Sequence, residues 1–248
     1  MRSPRVLFAS LVPLTMSLTA LPMAACSLDQ FRGPQQVTVT TCEEKALIED
    51  GEDGDDQILL REGRNGYLYT FADKVGSTVL PAETGFRMAE GGAEGSTHSI
   101  HLTGHVASKG EVYVGVGFDL KESSDGYDAS QYKGLSFSAK VKAGTEPHVR
   151  FMVGDVNTDP KGKVCTACNN DFGITFKATN EWVRYQVTYP ELKQEAGWGA
   201  PHPPAIDPTR LMSVQWQVSV PNSDLDLWLD DIAFIGCPSD KSAGGSGK

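Results

Sequence analysis

The sequence predicts an all-β fold, a sandwich or a barrel. Short runs rich in β-branched and aromatic residues recur along the chain, several alternate with a period of two, and no stretch of ten or more residues carries a convincing amphipathic stripe. In order the runs are Tyr67–Phe71, Ser99–Leu102, Val112–Val116, Leu135–Ala139, Val149–Val153, Trp182–Val187 and Val214–Val218. Gly, Pro, Asn or Asp bounds them, the punctuation expected between the strands of a sandwich or barrel. In the last run Val214, Trp216 and Val218 face one way and Gln215 and Gln217 the other. The apolar set is expected to fill the space between sheets, as are Trp182 and Trp228. No period of 20–50 residues repeats, which excludes a solenoid or a propeller.

Outside that region the chain changes character. Arg2 and Arg5 open it, an apolar stretch runs from Val6 to Leu21, and Met23-Ala24-Ala25-Cys26 follows. This reads as a signal peptide over residues 1–25. The apolar stretch is shorter than the ~20 residues a spanning helix needs. Met23-Ala24-Ala25-Cys26 resembles a bacterial lipobox, with Met23 where Leu is usual, and that resemblance implies a diacylglyceryl group on Cys26. Residues 26–41, polar with Gly33 and Pro34, read as a tether from lipid to domain, 42–237 as the β domain and 238–248 as a flexible tail. Ser27, not Asp, follows Cys26, which in a host with an outer membrane resembles outward sorting. The expected place is therefore the cell envelope, lipid-anchored, at the outer membrane or cell surface.

Removing residues 1–25 takes away Arg2 and Arg5 and moves the net charge from −10 to −12. Phosphate neutralisation needs Lys and Arg, and no basic cluster exists, so nucleic acid is excluded as a partner. With Cys26 acylated, Cys42, Cys165, Cys168 and Cys237 remain, an even set that an oxidising compartment can pair in three ways. The favoured pairing is Cys42–Cys237, which flanks the patterned region, with Cys165–Cys168 in a loop rich in Asn and Asp. Zinc is the rival at Cys165 and Cys168, but there is no second C-x-x-C, and His148 and His202 lie at no ligand spacing.

Four stretches together resemble a known family. They are Ile48-Glu49-Asp50-Gly51-Glu52-Asp53-Gly54, Tyr127 to Phe137, Glu181-Trp182-Val183-Arg184-Tyr185 leading to Gly197-Trp198-Gly199, and Leu227-Trp228-Leu229-Asp230-Asp231-Ile232-Ala233-Phe234. The chain is similar over residues 42–237 to the galactose-binding-like β-jelly-roll of carbohydrate-binding modules attached to bacterial endoglucanases. The resemblance implies a β-sandwich jelly-roll and a structural calcium (Ca2+). Glu52 and Asp230 match the early acidic residue and the closing-strand Asp that hold such an ion, with Asp50 as a helper. Two positions depart: Gly51 stands where an aromatic is common, and Ser138 where many relatives carry Trp.

A sugar site needs aromatic faces against pyranose C–H groups and fixed polar groups for hydroxyls. Tyr113, Tyr127 and Trp198 are the candidate platforms, and Arg150, Arg184, Gln215 and Gln217 the candidate hydrogen-bonding groups; Gly115 and Gly117 could let a ligand approach a strand. Carboxylates are plentiful, but no motif selects a glycosidase pair, and Gly-x-Ser-x-Gly does not occur. The expectation is a lipoprotein that binds a polysaccharide or oligosaccharide without being an enzyme, attached to the membrane by its lipid. The alternative is a structural or protein-interaction lipoprotein that keeps the fold without sugar binding. Cys26→Ser is expected to leave soluble or uncleaved protein. Unchanged membrane fractionation of that variant, with no acyl mass on the wild type, would refute the anchor.

Overall fold

A computed structural model of the chain describes residues 41–82 and 86–237. Cys26, the signal peptide, all of the tether but residue 41, and the tail lie outside the described residues. The domain opens with a five-residue helix, α1 (Cys42–Ala46). Thr41 Oγ1 accepts from the Glu44 amide at 3.2 Å and Glu44 Oε2 accepts from the Thr41 amide at 3.0 Å, a reciprocal cap that starts the helix.

Among the described residues twelve strands follow. They are β1 (Leu47–Glu49), β2 (Leu68–Ala72), β3 (Thr78–Leu80), β4 (Ala89–Glu90), β5 (His98–His105) and β6 (Val114–Asp119), then β7 (Gly134–Val141), β8 (His148–Asp155), β9 (Phe172–Lys177), β10 (Val183–Thr188), β11 (Leu211–Val218) and β12 (Asp224–Ile235). They form two antiparallel sheets. One has seven strands in the order β10-β7-β12-β5-β3, with β1 on β12 and β4 on β5; the other has five in the order β2-β6-β11-β8-β9. This is a jelly-roll β-sandwich, as expected. The short strands β1, β3 and β4 carry too few residues for a period to show. β9 is missing from the runs named above, although Phe172, Ile174 and Phe176 alternate and pack on the core.

Aromatic rings join the two sheets. Phe137 of β7 lies 4.8 Å from Phe151 of β8 and 5.2 Å, edge-on, from Trp216 of β11. Phe118 of β6 closes on the other side of Trp216 at 6.2 Å. Such contacts add to the gain from apolar burial. Val214, Trp216 and Val218 point inward, as their alternation requires, while Gln215 and Gln217 stay half-buried on the outer face.

The expectation that Trp182 and Trp228 fill the core is corrected. The inward set of β12 is Leu225, Leu227 and Leu229, so Trp228 between them must face out. It stacks on His101 at 3.7 Å, and Lys140 Nζ sits 4.8 Å from its ring and 4.7 Å from that of Trp182. Past Leu229 the alternation breaks. The register with β7 shifts between Asp230 and Ala233, and Asp231 takes a φ of +48°. This bulge lets Ile232 and Phe234 rejoin the core and buries the Asp230 carboxylate.

Both expected disulfides are formed, Cys42–Cys237 and Cys165–Cys168. The first joins residues 195 apart in sequence and ties α1 to the end of β12. Loop-closure entropy at that separation gives a stabilisation of about 5 kcal/mol, an upper value for real bridges. Cys42→Ser/Cys237→Ser is therefore expected to lower the unfolding free energy from urea titration by several kcal/mol with the β-sheet circular dichroism retained. A shift below about 1 kcal/mol would show that sheet packing alone holds the ends.

Candidate functional site: a groove on the five-stranded sheet

The outer face of the five-stranded sheet forms a groove of about 850 Å³. Its floor comes from alternate residues of adjacent strands. β2 supplies Tyr69 and Phe71, β11 Gln215 and Gln217, and β8 Arg150 and Met152. Tyr113, just before β6, closes one end, and the 168–171 and 195–198 loops raise a wall at the other. Five residues expected to bind sugar thus meet here: Tyr113, Arg150, Trp198, Gln215 and Gln217. Tyr127 does not join them, because it is buried in the core, and neither does Arg184. It lies on β10 of the other sheet, where its guanidinium donates to Ser136 Oγ at 2.9 Å and sits 3.7 Å from the Asp231 carboxylate.

The floor is aromatic on one side and polar on the other. Tyr69 and Phe71 have ring centroids 6.1 Å apart, and Phe71 lies 6.1 Å from Tyr113. Gln215 Nε2 donates to the Tyr69 hydroxyl at 3.1 Å, and Gln217 Nε2 to Ser219 Oγ at 2.7 Å. Gly115 and Gly117 do not leave bare strand for a ligand. A Cβ on Gly115 would stand 2.4 Å from the Phe71 ring, and one on Gly117 2.7 Å from the Gln215 side chain. The glycines let these side chains lie flat over β6. Tyr69 and Phe71 escaped notice in the sequence, although Tyr67, Tyr69 and Phe71 share one face of an alternating run. That spacing was the available signal.

The wall holds the most exposed aromatic of the groove. Trp198 is 45% exposed, and its Nε1 donates to Glu195 Oε2 at 3.0 Å. Gly197 and Gly199 on either side take φ of +89° and +84°, which explains the Gly-Trp-Gly spelling. Arg150 turns towards the wall. Its Nη2 donates to the carbonyls of Lys193 at 3.0 Å and Asp171 at 3.4 Å, and its Nε lies 3.6 Å from Glu195 Oε1. Burial is the leading influence on this guanidinium and lowers its pKa, with Glu195 and Asp171 opposing.

Behind the wall lies a buried polar cluster. Asp171 accepts from the Thr158 hydroxyl at 2.5 Å, Asp159 from Ser213 Oγ at 3.3 Å, and Asp155 from the Asn157 and Asp207 amides, each at 2.8 Å. Burial, with Asp159 and Asp155 nearby, holds the Asp171 carboxyl up at about 6 against the Thr158 bond.

The acidic turn after β1 lies apart from the groove. Glu52 gives both oxygens to the 96–98 segment: Oε1 accepts from Ser96 Oγ and the Thr97 amide at 2.7 Å and the His98 amide at 2.8 Å, and Oε2 from Thr97 Oγ1 at 2.6 Å. These bonds, the Thr97 hydroxyl foremost, lower its pKa to about 2. Asp50 Oδ1 accepts from the Glu52 amide at 3.2 Å. Asp230 Oδ2 accepts from the Ala93 amide at 2.7 Å and Oδ1 from the Asp231 amide at 2.7 Å, while burial raises its pKa to about 6. Glu49, outside the expected ligand set, is fully buried. Its Oε1 accepts from the Gly51 amide at 2.6 Å, Oε2 has no partner, and burial pushes its pKa up to about 8. No three His, Cys, Asp or Glu side chains converge as metal ligands among the described residues. The unpartnered, buried Glu49 Oε2 is a hard oxygen of the kind calcium takes.

No protein-family model matches the chain, and no curated protein does. Solved structures do. The family 11 carbohydrate-binding module of the cellulosomal cellulase Lic26A-Cel5E of Clostridium thermocellum superposes with a TM-score of 0.52 at 14% identity, covering 77% of this chain and 94% of that one. The solution structure of CtCBM11 gives 0.50 at 13% identity, covering 69% and 89%. At these identities the likeness is one of fold, and the fold is the one expected.

The Asp171 carboxyl makes a test of the wall's electrostatics. Its folded pKa of about 6 lies above the ~3.9 of an unfolded Asp. Between those values the folded chain keeps a proton that the unfolded chain has lost, so this group's contribution to stability falls as pH rises through the window. Asp171→Asn is expected to gain on the wild type by about 2–3 kcal/mol between pH 4 and pH 7 in urea titrations. A stability difference that stays constant with pH would refute it.

Proposed function

We propose that this chain is a lipid-anchored protein of the cell envelope, at the outer membrane or cell surface, that holds a neutral polysaccharide in the groove and does not cut it. The observation that carries the reading is the groove floor itself. A row of rings, Tyr69, Phe71 and Tyr113, stands beside Gln215 and Gln217, with Trp198 exposed across from them. Rings cover pyranose C–H faces and fixed amides read hydroxyls. The fold shared with a cellulase's carbohydrate-binding module supports this choice of ligand class. Charge narrows it. Glu111, Asp171 and Glu195 line the groove with Arg150, and the chain is acidic overall, so uncharged chains such as β-glucans are favoured over anionic ones. A shallow site reading a few hydroxyls gives dissociation constants of roughly 1 μM to 1 mM. Calcium would serve structure, not binding: the proposed ligands remain Glu52 and Asp230 with Asp50 as helper, and Glu49, buried with its Oε2 unpartnered, is a further oxygen beside the same turn.

Two measurements test the reading. On a panel of soluble neutral glycans, Trp198→Ala and Gln217→Ala are each expected to weaken binding by about 1 kcal/mol or more. No retention of folded wild type on any neutral glycan would leave the structural-lipoprotein alternative standing, and release of reducing ends would make the protein an enzyme. For calcium, chelation is expected to lower the melting temperature of the wild type and not that of Asp230→Ala. Identical wild-type melting with and without chelator, on protein shown to be metal-free afterwards, removes the ion from the picture.

A further inference from the structure

The groove wall is built from two segments, 165–171 and 193–201, and their joint is more elaborate than a solvent-facing loop needs. Asn170 is at its centre and only 2% exposed. Its Nδ2 donates to the carbonyls of Glu195 at 2.8 Å and Trp198 at 2.6 Å, and its Oδ1 accepts from the Glu195 amide at 2.9 Å. One amide side chain thus satisfies three backbone groups of the loop that presents Trp198. Gln194 Nε2 returns a bond to the Asn170 carbonyl at 2.9 Å. Gly199 is required beside it, because a Cβ there would stand 2.6 Å from the Asn170 Cβ.

Asn170 is itself held from the other side. The Cys165–Cys168 bridge closes the chain two residues before it. Within that closed turn the Thr166 amide donates to the Ala200 carbonyl at 2.9 Å, and the Ala200 amide to the Ala167 carbonyl at 2.9 Å. The bridge therefore fixes the 165–168 turn against the far end of the Trp198 loop, while Asn170 fixes the near end. Trp198 carries one of the Asn170 attachments on its own carbonyl, with its indole N–H tied to Glu195.

We propose that Asn170, braced by the Cys165–Cys168 bridge, is a positioning residue that sets the Trp198 ring at the rim of the groove, and so sets ligand affinity without touching ligand. The proposal rests on the reading of the groove as a sugar site. Its physical basis is preorganisation: a ring already fixed in its binding pose loses less freedom when a ligand arrives. Removing the Asn170 amide takes the partner from two carbonyls and one amide of the loop that it holds in part-buried bonds, and the loop satisfies them with water by moving outward.

The experiment is a double-mutant cycle with a ligand-free control. Binding of mixed-linkage β-glucan is measured for wild type, Asn170→Ala, Cys165→Ser/Cys168→Ser, Trp198→Ala and Asn170→Ala/Trp198→Ala. Asn170→Ala and the serine pair are each expected to lose about 5–10-fold in affinity. In the Trp198→Ala background the Asn170 change is expected to cost less than about twofold, since the ring it positions is gone. Additive losses would overturn the positioning role, because Asn170 would then act on the site by another route. The control is fluorine NMR of 5-fluorotryptophan protein, with the Trp198 resonance assigned from Trp198→Phe. Asn170→Ala and the serine pair are expected to shift or broaden that resonance and leave that of buried Trp216 in place. An unmoved Trp198 signal overturns the proposal whatever the binding data say. If folded wild type binds no glycan, the sugar reading fails by itself, and the fluorine signal still decides whether Asn170 and the bridge hold the ring.

Discussion

The period-two alternation of β11, pinned by Trp216, is the constraint on which the groove depends. Trp216 is 1% exposed and meets Phe137, Phe151 and Phe118, so its place between the sheets fixes the register of the whole strand. A slip by one residue would turn Trp216 to water and bury Gln215 and Gln217. Its indole N–H has no hydrogen-bond partner, a cost of about 1–3 kcal/mol that the packed rings must exceed. Because β11 pairs with β6 on one side and β8 on the other, the same register sets which residues of those strands reach the outer face. Arg150 lies opposite Gln217 and Met152 opposite Gln215 for that reason. The core and the groove are two faces of one register.

Much of this was legible because it repeats. The longer strands announce themselves by alternation, and the end-to-end disulfide follows from where the cysteines sit. The floor residues Gln215 and Gln217 could be read because they occupy the off-beat of a clean apolar alternation. What could not be read depends on breaks in repetition. The bulge at Asp230 and Asp231 shifts the phase of β12, and no local count of residues reveals where a shift falls. The same limit hid Glu49: the acidic turn offers Glu49, Asp50, Glu52 and Asp53 within five positions, and only folding shows which carboxylate is buried. Residue type alone places Trp182 and Trp228 in the core, whereas the side a strand residue faces is set by its neighbours' period.

The two departures from the resembled family also change meaning once placed. Ser138 is on β7, between the inward-facing Phe137 and Ala139, so it faces away from the other sheet and from the groove. A Trp at that position would not have lined the groove, and its absence says nothing about stacking there. Gly51 has a φ of +73°, and a Cβ would meet the His98 carbonyl oxygen at 3.0 Å. A larger residue is kept out by the close approach of β5.

The two outer faces use the same chemistry to opposite ends. On the seven-stranded sheet, β7 and β5 flank β12, so Lys140 and His101 cover Trp228 from its two sides, and Asp226 takes its N–H at 2.9 Å. A ring whose faces are both occupied by neighbours has none to offer a ligand. That cross-strand stack is sheet reinforcement, comparable to other aromatic and cation–π pairs on strands. On the five-stranded sheet Trp198 is instead carried by a loop, its N–H is held at the edge by Glu195, and nearly half its surface stays open. Exposed aromatic residues therefore do not by themselves mark the groove side of this sandwich. The side is marked by rings fixed along their edges with their faces left to water, and holding a loop-borne ring in that state requires buried polar groups such as Asn170 behind it.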